Sequence, residues 1–173
     1  AWHVEVLPDD DAGLARVVEE GLRAVVAIGA ANARLAVLGR ARSIAGVIVA
    51  ATATVGRDVE LGLGTVVLEH GHVGPASHVG VGVIVNTSAV VEHDCRIGDG
   101  VHVAPGAVVL GGASVGARTL VGSGARILPR VVVGADVTIG AGAVVTEDVP
   151  DGQTVVGVPA RALGSAAAGE ESS

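Results

Sequence analysis

From Val55 to Val145 every sixth residue is Val, Leu or Ile, sixteen positions in succession with no polar residue among them. Two residues before each of these the side chain is mostly small or β-branched, as at Ala53, Val59, Thr65, Ser77, Ala89, Cys95, Val101, Ala107 and Ala143. Positions two apart share one side of a strand, so both slots can point inward. Glycine recurs one residue after the aliphatic position (Gly56, Gly80, Gly98) and three after it (Gly64, Gly100, Gly112). The slot between holds Pro75, Pro105 and Pro129. Proline cannot donate to a ladder and glycine tolerates left-handed dihedrals, so these three residues mark a corner. Each hexapeptide is predicted to be one short strand and one corner.

The period divides the chain into a non-repetitive segment 1–46, a repeat domain 47–150 and an extension 151–173. Pro8 and Asp9 to Asp11 open a predicted short helix with Leu14, Val17 and Val18 as its apolar stripe, ending near Gly21. Arg23 to Ile28 reads as a buried strand, Gly29 to Asn32 as a loop, and Ala33 to Ala41 as a second helix. Together they read as a small, incomplete α/β segment. Pro159 blocks further strand in the stretch Asp151 to Leu163, which is expected to leave the repeat. The Ala, Ser and Glu tail after Gly164 is expected to be disordered.

Composition sharpens this picture. The 173 residues include 27 glycines but no Phe, Tyr or Met, which suits a repetitive interior too narrow for rings. A formal charge of −7 without a basic run argues against nucleic acid and anionic membrane as partners. A single cysteine excludes an internal disulfide, and no apolar run reaches the roughly 18 residues of a membrane span. A cytoplasmic setting is the default expectation.

The repeat resembles the hexapeptide-repeat family of left-handed parallel β-helices over about residues 49 to 150. That resemblance implies three hexapeptides per triangular coil of 18 residues, and a left-handed path against the usual hand of parallel connections. Residues 18 apart are then neighbours in successive coils, about 4.8 Å apart.

Asn86 to Gly106 interrupts the bland repeat. Here Glu92, His93 and Asp94 replace the expected glycine and small residues, and His93 occupies the corner slot, from which its imidazole must project. A histidine flanked by carboxylates at an exposed corner fits a general base. This stretch, with Gly111-Gly112 and the later Gly-Val-Pro-Ala-Arg161, resembles the sialic acid O-acetyltransferases and nucleotide-activated amino-sugar N-acetyltransferases. The resemblance implies acetyl-CoA as acyl donor, His93 as base, Asp94 as the acid supporting it, and Asn86, Glu92 and His102 as further site positions. It also implies a homotrimer with active sites between subunits and a small-molecule sugar acceptor. His102, Gly111, Ser123 and Val132 are assigned to acetyl-CoA, and Asn86, Gly29 and Asn32 to the acceptor, with Arg34 a further candidate to line the acceptor pocket beside Gly29 and Asn32. Of the strand and glycine-rich loop with which the family begins, only Arg23 to Arg34 has a counterpart. Nitrogen and oxygen acceptors fit the residues equally.

Spacing adds two expectations. His93 and His102 are nine residues apart, half a coil, so a site using both needs two chains. Gly111, 18 after His93, is expected one coil above it, where its N–H can face a developing oxyanion. Cys95 falls in an inward slot and is expected to pack rather than react. His70, His72 and His78, at spacings of two and six, do not match the three-histidine zinc site of γ-class carbonic anhydrases, so no metal is expected. A non-catalytic trimeric scaffold would not need the polar corner Glu92 to Asp94.

Overall fold

The computed structural model describes residues 11–20, 25–42 and 45–163. The stretch 1–10, Arg23 and Ala24 of the predicted strand, the side chains of Leu14, Val17 and Val18, and the tail from Gly164 lie outside the described residues. Two helices, α1 (Asp11–Glu19) and α2 (Ala31–Arg40), precede a column of two-residue strands running from Ile48–Val49 to Val144–Val145. One strand per hexapeptide is what the period predicts.

Each strand up to Arg126–Ile127 pairs in parallel with the strand 18 residues further on, as in His102 with Leu120, Val91 with Val109 and Ile97 with Val115. Three flat faces result. Face one carries Ile84–Val85, His102–Val103 and Leu120–Val121; face two carries His72–Val73, Val90–Val91 and Val108–Val109; face three carries His78–Val79, Arg96–Ile97 and Val132–Val133. This is the left-handed parallel β-helix of the hexapeptide-repeat proteins.

Both predicted inward slots are inside. Ala89 and Val91, Val101 and Val103, and Ala107 and Val109 have no exposure. Three sheets meeting across one narrow column leave room for side chains of about valine size, and each buried Val contributes on the order of 1.5–3 kcal/mol. Thr65, Ser77 and Thr119 also stand in the inward slot. Each donates to a carbonyl 15 residues on, one coil above the corner that precedes it, Gly80, Glu92 and Gly134 respectively, so these interior polar atoms are satisfied.

From Asp58 to Gly142 the third residue of each corner sits in the left-handed region. It is often glycine, but Asp58, Asp94, Arg118, Arg130 and Asp136 adopt it too. At the corner leading from face three to face one, Gly64, Gly82 and Gly100 form a trough that receives Leu35 and Leu38 of α2. Higher on the same corner no helix packs, and the slot holds Arg118 and Asp136, whose side chains pair with each other. The helix therefore begins at Ala31, two residues before the predicted start, because packing and not a capping side chain fixes its N-terminus. Asn32 consequently lies in the helix and not in the loop.

Two further expectations change. Residues 25–28 belong to no strand; the Ile28 and Gly29 carbonyls are bonded by the Arg34 side chain. The extension does not leave the coil at Asp151. Thr154–Val156 still pairs in parallel with Thr138–Ile139, and after Pro159 the chain returns as Arg161–Ala162, antiparallel to it. The last coil is two residues shorter than the others: Asp148 and Asp151 cap the N–H groups of Val132 and Ala135 across 16 positions, where Asp99 caps Val81 across 18.

Candidate active site

His93 stands at the corner between faces two and three. Its Nδ1 lies 2.7 Å from Asp94 Oδ2. A carboxylate only accepts, so Nδ1 carries the proton and the neutral ring presents Nε2 as its free base. Asp94 reaches this position from a left-handed backbone (φ 58), which turns its side chain toward the residue before it.

The ring lies against Gly111, as the spacing of 18 predicts. A Cβ built on Gly111 would stand 2.6 Å from His93 Nε2 and 2.7 Å from Cε1. Glycine is required here by the close approach of the imidazole, since the Gly111 backbone is not left-handed. The Gly112 N–H donates to the His93 carbonyl, locking the two corners together. Around them opens a recess of about 480 Å³ lined by Glu92, His93, Asp94, Leu110, Gly111, Gly112, Pro129 and Arg130. Sequence reading missed Leu110, Pro129 and Arg130. The step of 18 from His93 through Gly111 to Pro129 was the signal that marked this column.

The remaining predicted residues lie elsewhere on the same chain. His102 projects, half-buried, from face one, opposite the His93 corner. Its Nε2 is 3.0 Å from Asn86 Nδ2. The Thr87 N–H donates to Asn86 Oδ1, which orients the amide so that its NH₂ group faces the ring. His102 Nε2 therefore accepts, as a neutral imidazole does. Burial, followed by the charge of Arg34, holds the His102 pKa below its ordinary value, in agreement with that tautomer.

Ser123 is exposed at the corner between faces one and two, where the Gly142 N–H donates to its carbonyl. Val132, also exposed, lines a second recess of about 510 Å³ on face three with Glu60, His78, Arg96 and Ser114. Gly29 and Asn32 are exposed beside the corner that receives α2. Arg34 does not line a pocket: it is 1% exposed and bonded to backbone. The chain thus brings together Glu92, His93, Asp94 and Gly111, and separately Asn86 with His102.

Cys95 is buried, as its slot predicts, and burial raises its thiol pKa above the usual value, the opposite of an activated nucleophile. His72 is bonded to Thr54 on face two, His78 faces Glu60 on face three, and His70 lies at a corner. Among the described residues no cluster of three His, Cys, Asp or Glu side chains is placed to hold a metal.

Residues 112–147 match the bacterial transferase hexapeptide (six repeats) family. No curated protein sequence matches the chain. Among solved structures, PerB from Caulobacter crescentus, in complex with CoA and GDP-perosamine, is 40% identical over 90% of this chain and 77% of its own, with a TM-score of 0.85. The acetyltransferase domain of PglB from Neisseria gonorrhoeae, in complex with acetyl coenzyme A, is 37% identical over 87% of this chain and 75% of its own, with a TM-score of 0.84. WeeI from Acinetobacter baumannii is 31% identical over 80% and 69%, with a TM-score of 0.76. Identity of this extent, on the same coil and with the repeat match, makes the chain an acyltransferase belonging to the hexapeptide-repeat nucleotide-sugar acetyltransferase family.

Proposed function

We propose that this protein transfers the acetyl group of acetyl-CoA to the amine of a nucleotide-activated amino sugar, with His93 as general base. The observation that carries the reading is the His93 ring itself, its Nδ1 on Asp94 and its free Nε2 over Gly111 in an open recess. The complex of PerB with CoA and GDP-perosamine supports an amino-sugar acceptor over a hydroxyl, and that of PglB with acetyl coenzyme A supports the donor.

In the proposed reaction the acceptor amine attacks the thioester carbonyl carbon and gives up a proton to His93 Nε2. The oxyanion of the tetrahedral intermediate is met by the Gly111 N–H, which has no partner among the described residues. Collapse breaks the carbon–sulfur bond, and the imidazolium returns its proton to the departing CoA thiolate. Asp94 holds the Nδ1 proton throughout, and Glu92 borders the same recess. The neighbouring subunit of a trimer supplies His102, Asn86 and the acceptor-side residues Gly29 and Asn32. The reading places the reaction in the cytoplasm, where acetyl-CoA and nucleotide sugars meet.

A thiol-release assay tests this reading. Acetyl-CoA with GDP-perosamine, and in parallel with UDP-linked amino sugars and sialic acid, is expected to release CoA with an amino sugar and to leave that sugar heavier by one acetyl group. Release with sialic acid alone would replace the amine by a hydroxyl. No release with any of them would sink the proposed function.

A further inference from the structure

Arg34 is the only charged side chain fully buried among the described residues, and it pairs with no carboxylate there. Its donors go to backbone alone. Nε donates to Gly82 O at 2.7 Å, Nη1 to Ile28 O at 2.8 Å and Gly29 O at 2.7 Å, and Nη2 to Gly100 O at 2.6 Å. Burying a cation without a counter-ion is costly, and burial lowers its pKa accordingly. Packing does not require it, because Leu35 and Leu38 already seat α2 in the glycine trough. What the planar guanidinium adds is a fixed geometry between four carbonyls. Two of these belong to the loop ahead of α2. The other two belong to consecutive coils, each two residues ahead of a face-one strand, Ile84–Val85 and His102–Val103.

We infer that Arg34 is a positioning residue of the acceptor side, which pins the Ile28–Gly29 loop to the coil corner at the height of His102 through four backbone carbonyls. The inference rests on the acetyltransferase reading, in which that loop borders the acceptor together with Asn86, the hydrogen-bond partner of His102. Arg34 has a second effect at the same place. Among the described residues it is the one charged group acting on His102, whose strand neighbours Ile84 and Leu120 are uncharged. It thereby favours the neutral ring that accepts from Asn86.

Arg34→Lys keeps the charge but cannot reach four carbonyls, and Arg34→Met keeps the apolar stem alone. Both are expected to retain the coil, seen as an unchanged far-ultraviolet spectrum, because no core residue of the coil is altered. With GDP-perosamine and acetyl-CoA, both are expected to raise the KM for the sugar about tenfold or more, with the KM for acetyl-CoA little changed. The His102 titration, followed by NMR, is expected to move up in Arg34→Met and less in Arg34→Lys. An unchanged sugar KM and an unmoved His102 midpoint would reduce Arg34 to a structural staple and overturn the inference. Loss of the coil in both variants would overturn it as well, since Arg34 would then serve the fold. If wild-type protein acetylates no amino sugar, the function proposed above fails on its own; the His102 midpoint in Arg34→Met then decides the electrostatic half, and a midpoint that stays put rejects it.

Discussion

The contact between His93 and Gly111 ties a backbone choice to a chemical one. Gly111 does not need glycine for its dihedrals, so Gly111→Ala meets only the ring: its Cβ would fall 2.6 Å from Nε2. The expected result is a displaced imidazole in an otherwise intact coil. Turnover is expected to fall by about 10² to 10⁴, the usual range for losing a general base, with little change in Tm. His93→Ala is expected to lose as much, and the double variant His93→Ala/Gly111→Ala no more than either, since both remove one function. Turnover and thermal melts on the three variants check this. Additive losses would show that Gly111 acts independently of the ring, through its N–H alone. The histidine, its acid neighbour and the glycine one coil above were all legible in the sequence, because a strict period converts residue number into position. Arg34 was not. Nothing in its local pattern distinguishes a cation that reaches solvent from one that folds back on four carbonyls 5 to 66 residues away.

At the scale of elements, the sequence placed the repeat strands correctly and misjudged the ends. The strands are dictated by an aliphatic period that has only one packed solution. The N-terminal segment has no period, and its path is set by contacts with a corner that only exists once the coil has formed. Leu38 occupies the space that a side chain at Gly64 would need, and Leu35 does the same at Gly100. Gly152 sits on the same corner with the same left-handed backbone (φ +71), yet nothing lies within 4 Å of its missing Cβ. The pair separates the two reasons for glycine. Gly152→Ala is expected to cost only the backbone term, about 1–2 kcal/mol. Gly64→Ala adds a clash with Leu38, so it is expected to lower Tm further and to make residues 25–42 more susceptible to limited proteolysis. Equal losses of stability at the two positions would mean that α2 yields without cost and that the trough does not hold it.

The whole molecule presents its candidate residues on two sides of one triangular section. His93 projects from the corner between faces two and three, while His102 and Asn86 sit across the coil on face one and its edge. No bending of a stacked coil joins them, so a site using both requires a second chain. In the proposed trimer, His93→Ala and His102→Ala, each expected to be nearly inactive alone, are complementary. The first chain retains His102 and the second retains His93. A ring containing both kinds of chain has one junction at which an intact His93 meets an intact His102, whichever variant is in excess, so roughly one site in three returns. Co-expressing the two with different affinity tags and purifying on both isolates these mixed rings. Their activity with acetyl-CoA and an amino sugar is expected to rise well above that of either parent. If rings shown to be mixed remain as inactive as the parents, the two histidines do not share a site, and the part assigned to His102 passes to residues already gathered at the His93 recess, with Arg130 the first to substitute.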